Sequence, residues 1–271
     1  MEQNLEAAVA ALANLPDVAC VMLAGSRASG TNDERSDYDL YVYSDREIAA
    51  EARRVWLAPC CGGMEWDNRF WEPGDEGELA DGVAIDIMYR RFDWIEDMLA
   101  RVVERCEASV GYTTCFWANL LTSRVLFDRG GRGATLKARF SVAYPAALQR
   151  AIVEKNLPLI AGIRSSYLHQ IEKALQRGDA VSVNHRVAAV LASWFDIVFA
   201  AHAMPHPGEK RLLAHLAALP DAPQDAAQDI AALLAAAGNG DAALTQRIGS
   251  LDLRLRVWLA DRGQLPAHLV R

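Results

Sequence analysis

The sequence predicts an α+β protein, a mixed sheet with helices followed by an all-α helical bundle. Three observations carry this expectation. Apolar residues in the first half switch between strand-length runs and helical spacing. In the second half they recur only at intervals of three and four. Between the halves stands Gly130-Gly131-Arg132-Gly133, a cluster that favours no regular element. A chain of 271 residues is long enough for two cores, so the expected domains are 1–130 and 131–271.

Residues 3–13 (QNLEAAVAALA) read as an amphipathic helix that ends before Pro16. Residues 18–24 (VACVMLA) form an apolar strand stopped by Gly25, and 38–43 (YDLYVY) a second β-rich run. Ser44 or Asp45 is placed to cap a helix through 47–56 (EIAAEARRVW). Residues 64–71 and 83–89 are expected as strands, with the acidic, Gly-rich stretch 72–82 (EPGDEGELADG) as a loop between them. A helix follows over about 93–107, with Trp94, Ile95, Met98, Leu99, Val102 and Val103 at helical spacing. In the second half Ile160, Ile163, Tyr167, Ile171 and Leu175 make one helical stripe. Val183, Val187, Val190, Leu191, Trp194 and Val198 make another, beyond Gly178-Asp179. Pro205 and Pro207 break it, and the Ala-rich remainder carries two helices divided by Gly238-Asn239-Gly240.

The composition, 52% hydrophobic and 23% charged, excludes disordered, collagen-like and disulfide-scaffold chains. No run approaches the roughly 18 apolar residues of a membrane span. The opening MEQNLEAAVA lacks the basic start of a signal peptide, and the five cysteines form no C-x-x-C. A cytoplasmic chain without a membrane partner is expected. Residues 1–130 carry 24 acidic and 12 basic side chains, whereas 131–271 carry 11 and 16. Sequence-independent nucleic-acid binding needs a strong basic excess, so nucleic acid is not an expected partner. An acidic half joined to a mildly basic one suits ligands of opposite sign; scattered solubility charge is the plain alternative.

The informative segment is Gly25-Ser26-Arg27, followed after nine further residues by Asp37-Tyr38-Asp39. Side chains alternate along a strand, so Asp37 and Asp39 project to one face and can share a divalent cation. Gly25 allows close backbone approach, and Ser26 offers a hydroxyl and an N–H to a phosphate oxygen. Asp86 interrupts the apolar run 83–88, and a charge there needs a partner, for which a metal ion suffices.

Gly-Ser, ten residues, then Asp-x-Asp, with a third Asp in a later strand, resembles the nucleotidyltransferase fold of the DNA polymerase beta superfamily. The run Ser36-Asp37-Tyr38-Asp39-Leu40 is similar to the S-D-x-D-[LIV] form of bacterial antibiotic nucleotidyltransferases. This likeness spans about residues 15–90. The helical half resembles, more loosely, the C-terminal domain of aminoglycoside and lincosamide adenylyltransferase-like proteins, with the segment 206–211 (HPGEKR). The resemblance implies attack by an acceptor hydroxyl on the α-phosphorus of a nucleoside triphosphate, with Mg²⁺ as cofactor and ATP as the expected co-substrate. It implies that Asp37 and Asp39 ligate metal, and that Gly25 and Ser26 hold the β/γ phosphates. Asp86 is the third ligand or the general base. Arg27 is placed to touch phosphate, and related enzymes include homodimers.

Lys210 follows a Pro-Gly turn at the start of a helical stretch, where a cation can meet a triphosphate; a solvated lysine is the plain alternative. Glu65, Asp67, Glu72, Asp75, Glu76, Glu78 and Asp81 crowd the stretch before Asp86. Such a field attracts a cationic small-molecule acceptor, such as an aminoglycoside antibiotic, unless it is only an acidic surface loop. Protein adenylylation of the toxin–antitoxin type, or nucleotide binding without turnover, also fits. His202 and His206 straddle Pro205 with no carboxylate near in sequence, so metal binding there is not expected. Trp117 and Trp194 are expected in the core, and Cys60-Cys61 as structural.

Overall fold

The computed structural model describes residues 2–30, 32–239, 241 and 243–270. Thr31 and Gly240, each part of a segment read above, lie outside the described residues. The chain divides into two units, one running to Ala100 and resuming over Phe116–Val142, the other formed by Arg101–Cys115 and Ala143–Arg271. The seam expected at 130/131 therefore falls inside the first unit.

The elements of the first unit are α1 (Glu2–Ala13), β1 (Val18–Leu23), α2 (Gly25–Ser29), β2 (Tyr38–Ser44), α3 (Ala50–Leu57), β3 (Cys61–Asn68), β4 (Gly74–Leu79), β5 (Ala84–Arg91) and α4 (Phe92–Leu99). After the excursion into the second unit come α5 (Cys115–Thr122), β6 (Arg124–Asp128) and α6 (Arg132–Phe140). The six strands lie in the order β3-β4-β5-β2-β1-β6. Every neighbouring pair is antiparallel except β2 and β5, which run parallel.

Alternation along the strands sorts the side chains. Val21, Leu23, Leu40, Val42, Ile85 and Ile87 turn to one face and are buried with Leu5 and Leu12 of α1 and Leu57 of α3. On the other face Gly133 brings α6 so near to β1 that a Cβ there would overlap the Cys20 Sγ. Tyr43 meets Phe92 edge to face on that same side, with ring centroids 6.0 Å apart.

Several boundaries differ from expectation, among them that of β3, expected over 64–71 and found at Cys61–Asn68. The stretch read as an acidic loop contains β4, an interior strand paired on both sides. Its inward positions Asp75 and Leu79 are buried, while Glu76 and Glu78 are exposed. A buried carboxylate in a strand requires a partner, and Asp75 has Arg53 of α3 at 3.0 Å and the Asp67 N–H at 2.9 Å. Arg53 reaches Asp67 as well, at 2.7 Å, with its guanidinium 4.4 Å from the centroid of the Tyr89 ring. The helix expected from residue 47 begins only at Ala50, because Ser44 ends β2 and its Oγ donates to the Arg46 carbonyl at 2.8 Å. The helix expected to residue 107 leaves α geometry at Leu99 and continues as a π-helical turn, Ala100–Glu104.

The second unit contains α7 (Ala146–Leu157), α8 (Tyr167–Gln176), α9 (Ala180–Ala201), α10 (Leu212–Ala217), α11 (Ala226–Asn239) and α12 (Ala243–Asp261). From Ser193 to Ala201 every residue of α9 is buried, so this helix is the axis of the bundle. Trp194, Ile197, Val198, Leu233, Leu251 and Leu255 lie in its core. The stripe from Ile160 to Leu175 is not one helix: a π-helical turn, Pro158–Gly162, precedes α8, and Ser166 caps α8 by accepting the His169 N–H. Among the described residues no helix is long and apolar enough to cross a membrane.

The Arg53–Asp75 pair generates a stability test. Removing one member of a buried pair typically costs about 3–5 kcal/mol, since the other charge stays buried. Asp75→Ala should lose that much in urea unfolding, whereas Glu78→Ala, at an exposed position of the same strand, should stay within about 0.5 kcal/mol of the parent.

Candidate active site

After β1 the chain turns sharply. Gly25 has φ 62°, in the left-handed region that glycine adopts without strain. A Cβ at this position would overlap the carboxylate of Asp39. Backbone and space therefore both require glycine. The Ala24 N–H donates to the Asp39 carbonyl at 2.8 Å, tying the turn to β2. Ser26 is half-buried in the first turn of α2, where the opening N–H groups of a helix have no acceptor within it.

Asp39 and Asp86 are register partners on the parallel strands β2 and β5, which stand about 4.8 Å apart. Their face is opposite to that of Leu40 and Ile87. Asp37 precedes β2 by one residue, near enough for its charge to act on Asp86. The row continues outward, with Asp86 opposite Glu76 of β4 and Glu76 opposite Glu65 of β3. Burial first, and then the charges of Glu76, Asp39, Asp37 and Glu72, push the Asp86 carboxyl up to about 6.

The first unit thus brings together Gly25, Ser26, Asp37, Asp39 and Asp86. Among the described residues no three His, Cys, Asp or Glu side chains gather tightly enough to hold an ion by themselves. What the sheet provides is the Asp39–Asp86 pair with Asp37 beside it. Hard carboxylate oxygens in a like-charged group suit Mg²⁺, which is usually held by one or two carboxylates plus substrate phosphates and water.

Arg27, read as a phosphate contact, is engaged with the backbone. Its Nε donates to the carbonyls of Ser36 at 3.0 Å and Asp37 at 2.9 Å, and its guanidinium lies 4.2 Å from the centroid of the Tyr38 ring. Lys210 is exposed in the second unit, just before α10. His202 does meet a carboxylate, Asp221 at 3.1 Å, while the buried His206 accepts the Gly208 N–H on Nδ1. Trp117 and Trp194 are core residues, and burial pushes the Cys61 thiol up to about 12, as suits a structural cysteine.

The acidic crowd divides. Asp67 and Asp75 pair with Arg53, Asp67 also with Arg69, and both Glu72 oxygens with Arg90 at 2.7 Å. Glu65, Glu76 and Glu78 remain exposed. Sequence reasoning named Glu76 but missed its place beside Asp86. The signal was present as alternation in Asp75-Glu76-Gly77-Glu78-Leu79, masked by Gly74 and Gly77, which read as a loop.

The Asp86 environment predicts a pH dependence. Its raised folded-state pKa stabilises the metal-free fold below the ordinary carboxylate range, and this contribution is lost as pH rises through about 6. In EDTA, the Tm of Asp86→Asn relative to the parent should therefore climb between about pH 4 and pH 7. A difference that stays flat with pH would contradict the crowding.

Comparison with known proteins gives one match of family rank. Residues 6–58 match the model "Polymerase beta, Nucleotidyltransferase", a span that holds Gly25, Ser26, Asp37 and Asp39 and stops short of Asp86. No curated protein matches the sequence. Among solved structures, a nucleotidyltransferase-like protein from Exiguobacterium sibiricum 255-15 is similar, with 11% identity and a TM-score of 0.47 over 100% of this chain and 78% of that one. A likeness so remote assigns nothing to this chain. The match over residues 6–58 supports nucleotidyl transfer as the general activity.

Proposed function

We propose that the protein transfers a nucleoside monophosphate, AMP from ATP, to a hydroxyl of a small, cationic acceptor in the presence of Mg²⁺. The observation that carries this reading is the pairing of Asp39 with Asp86 on adjacent parallel strands, with Gly25 cleared beneath the Asp39 carboxylate. Asp39 and Asp86, with Asp37, are the residues to hold the cation. Bound magnesium supplies charge stabilisation at the phosphoryl oxygens. Gly25 and Ser26 orient the phosphates through the turn and the opening N–H groups of α2. Asp86 is either the third of these ligands or the general base that accepts the proton of the attacking hydroxyl.

The exposed Glu65, Glu76 and Glu78 extend negative charge away from Asp86 and support a cationic acceptor, with aminoglycosides and lincosamides as the classes to try first. This field is narrower than the sequence suggested, because Asp67, Asp75 and Glu72 are taken up by arginines. Adenylylation of a protein uses the same chemistry on another acceptor.

Incubation with labelled ATP, Mg²⁺, a panel of antibiotics and a cell lysate tests the reading. Label should appear on a small molecule and fall at least about a hundredfold in Asp39→Asn with the fold intact. Label on a protein band would transfer the same chemistry to a protein acceptor. No label anywhere would leave a nucleotide-binding regulator. Lys210 is proposed to contact the triphosphate. Loss of one charge-assisted contact is worth roughly 1.5–3 kcal/mol, so Lys210→Ala should weaken ATP about ten- to a hundredfold and adenosine hardly at all. Titration calorimetry with both ligands separates that role from support of the fold, which would weaken the two equally.

A further inference from the structure

We propose that Arg27 is the positioning residue of Asp37, fixing the first arm of the Asp-x-Asp pair for the cation; the inference rests on the nucleotidyl-transfer reading above. The two aspartates reach their places by different means. Asp39 lies inside β2, paired with Asp86 in the ladder, and its carbonyl accepts the Ala24 N–H. Asp37 lies ahead of the ladder, whose first β2–β5 pair is Tyr38 with Ile85. Its backbone is held instead by a side chain.

The approach to Asp37 is a turn closed on itself. The Ser36 N–H donates to the Asp33 carbonyl at 3.2 Å, the Asp33 N–H to Ser36 Oγ at 2.9 Å, and the Arg35 N–H to Asp33 Oδ1 at 3.0 Å. The two carbonyls that leave this turn, those of Ser36 and Asp37, both accept from the Arg27 guanidinium, which also covers the Tyr38 ring. A planar fork with several donors meets two successive carbonyls and an aromatic face together; an ammonium cannot. Gly25 clears the space for Asp39, and two residues later Arg27 grips the backbone of Asp37. One short helix therefore sets both arms.

The test compares the parent with Arg27→Met and Arg27→Lys. Lysine keeps the charge and loses the fork, so a positioning role groups it with methionine, and a direct phosphate contact groups it with the parent. Hydrogen exchange should rise about tenfold or more at residues 36–38 in both variants, with the rest of the first unit unchanged. Mn²⁺ affinity by electron paramagnetic resonance should fall about tenfold in both, while ATP binding in EDTA stays within about twofold of the parent. Parent-like exchange and Mn²⁺ binding in Arg27→Lys, or a loss of ATP binding in EDTA, would overturn the proposal and leave the transfer reading intact. A parent protein that binds no Mn²⁺ would overturn the transfer reading, and this proposal with it.

Discussion

Two carboxylates on neighbouring strands repel one another, and in this sheet a single parallel pairing holds them together. Asp39 and Asp86 lie far apart in sequence and meet because β5 returns alongside β2 in the same direction. A parallel return needs a crossover, and α3 with the β3–β4 hairpin supplies it. The hydrophobic row on the opposite face pins the register, because a slip of one residue in either strand would turn its apolar side chains to the site and its aspartate into the core. The apolar face therefore supplies the order that the charged face lacks.

The same sheet shows how one run of acidic residues is given two kinds of work. Alternation in β4 sends Asp75 inward to Arg53 and leaves Glu76 beside Asp86. Glu72, two residues ahead of the strand, is neutralised by Arg90, whose guanidinium lies 3.9 Å from the centroid of the Tyr41 ring. Net charge over the segment says little about the field at the site. What matters is which carboxylates have an arginine facing them.

Much of this was legible in the residues. The Gly-Ser turn, the strand that carries Asp39 and the interrupted apolar run around Asp86 stand where their patterns put them, because each combines a local backbone requirement with strand periodicity, while Asp37 falls one residue ahead of its strand. Helix α9 followed from spacing, and α11 and α12 from the alanine content of the tail, although α11 runs on through Gly238 and Asn239 of the expected divider. β4 was hidden because glycines and carboxylates are poor strand formers in isolation, and only pairing on both sides and Arg53 make the strand stable. The role of Arg27 was hidden for a related reason: its acceptors are carbonyls, which every residue has, so no side-chain pattern marks them. How closely Asp37, Asp39 and Asp86 converge was not legible, because strand alternation fixes a face and not a distance.

The excursion of Arg101–Cys115 into the second unit bears on the order in which the protein is built. Asp196, buried in α9, accepts the N–H and hydroxyl of Thr113, and Asn156 of α7 accepts the Gly111 N–H at 2.9 Å. Thr113 leaves the ribosome 83 residues before the carboxylate it satisfies. The bundle is therefore not an appendage of the C-terminal sequence. A fragment that starts at Ala143 carries the buried Asp196 without these donors, and burial already pushes that carboxyl up to about 6 in the intact chain. Removing the loop would leave a charge in the core with fewer hydrogen bonds, so a gene cut at the glycine cluster severs the helical unit from its own lining.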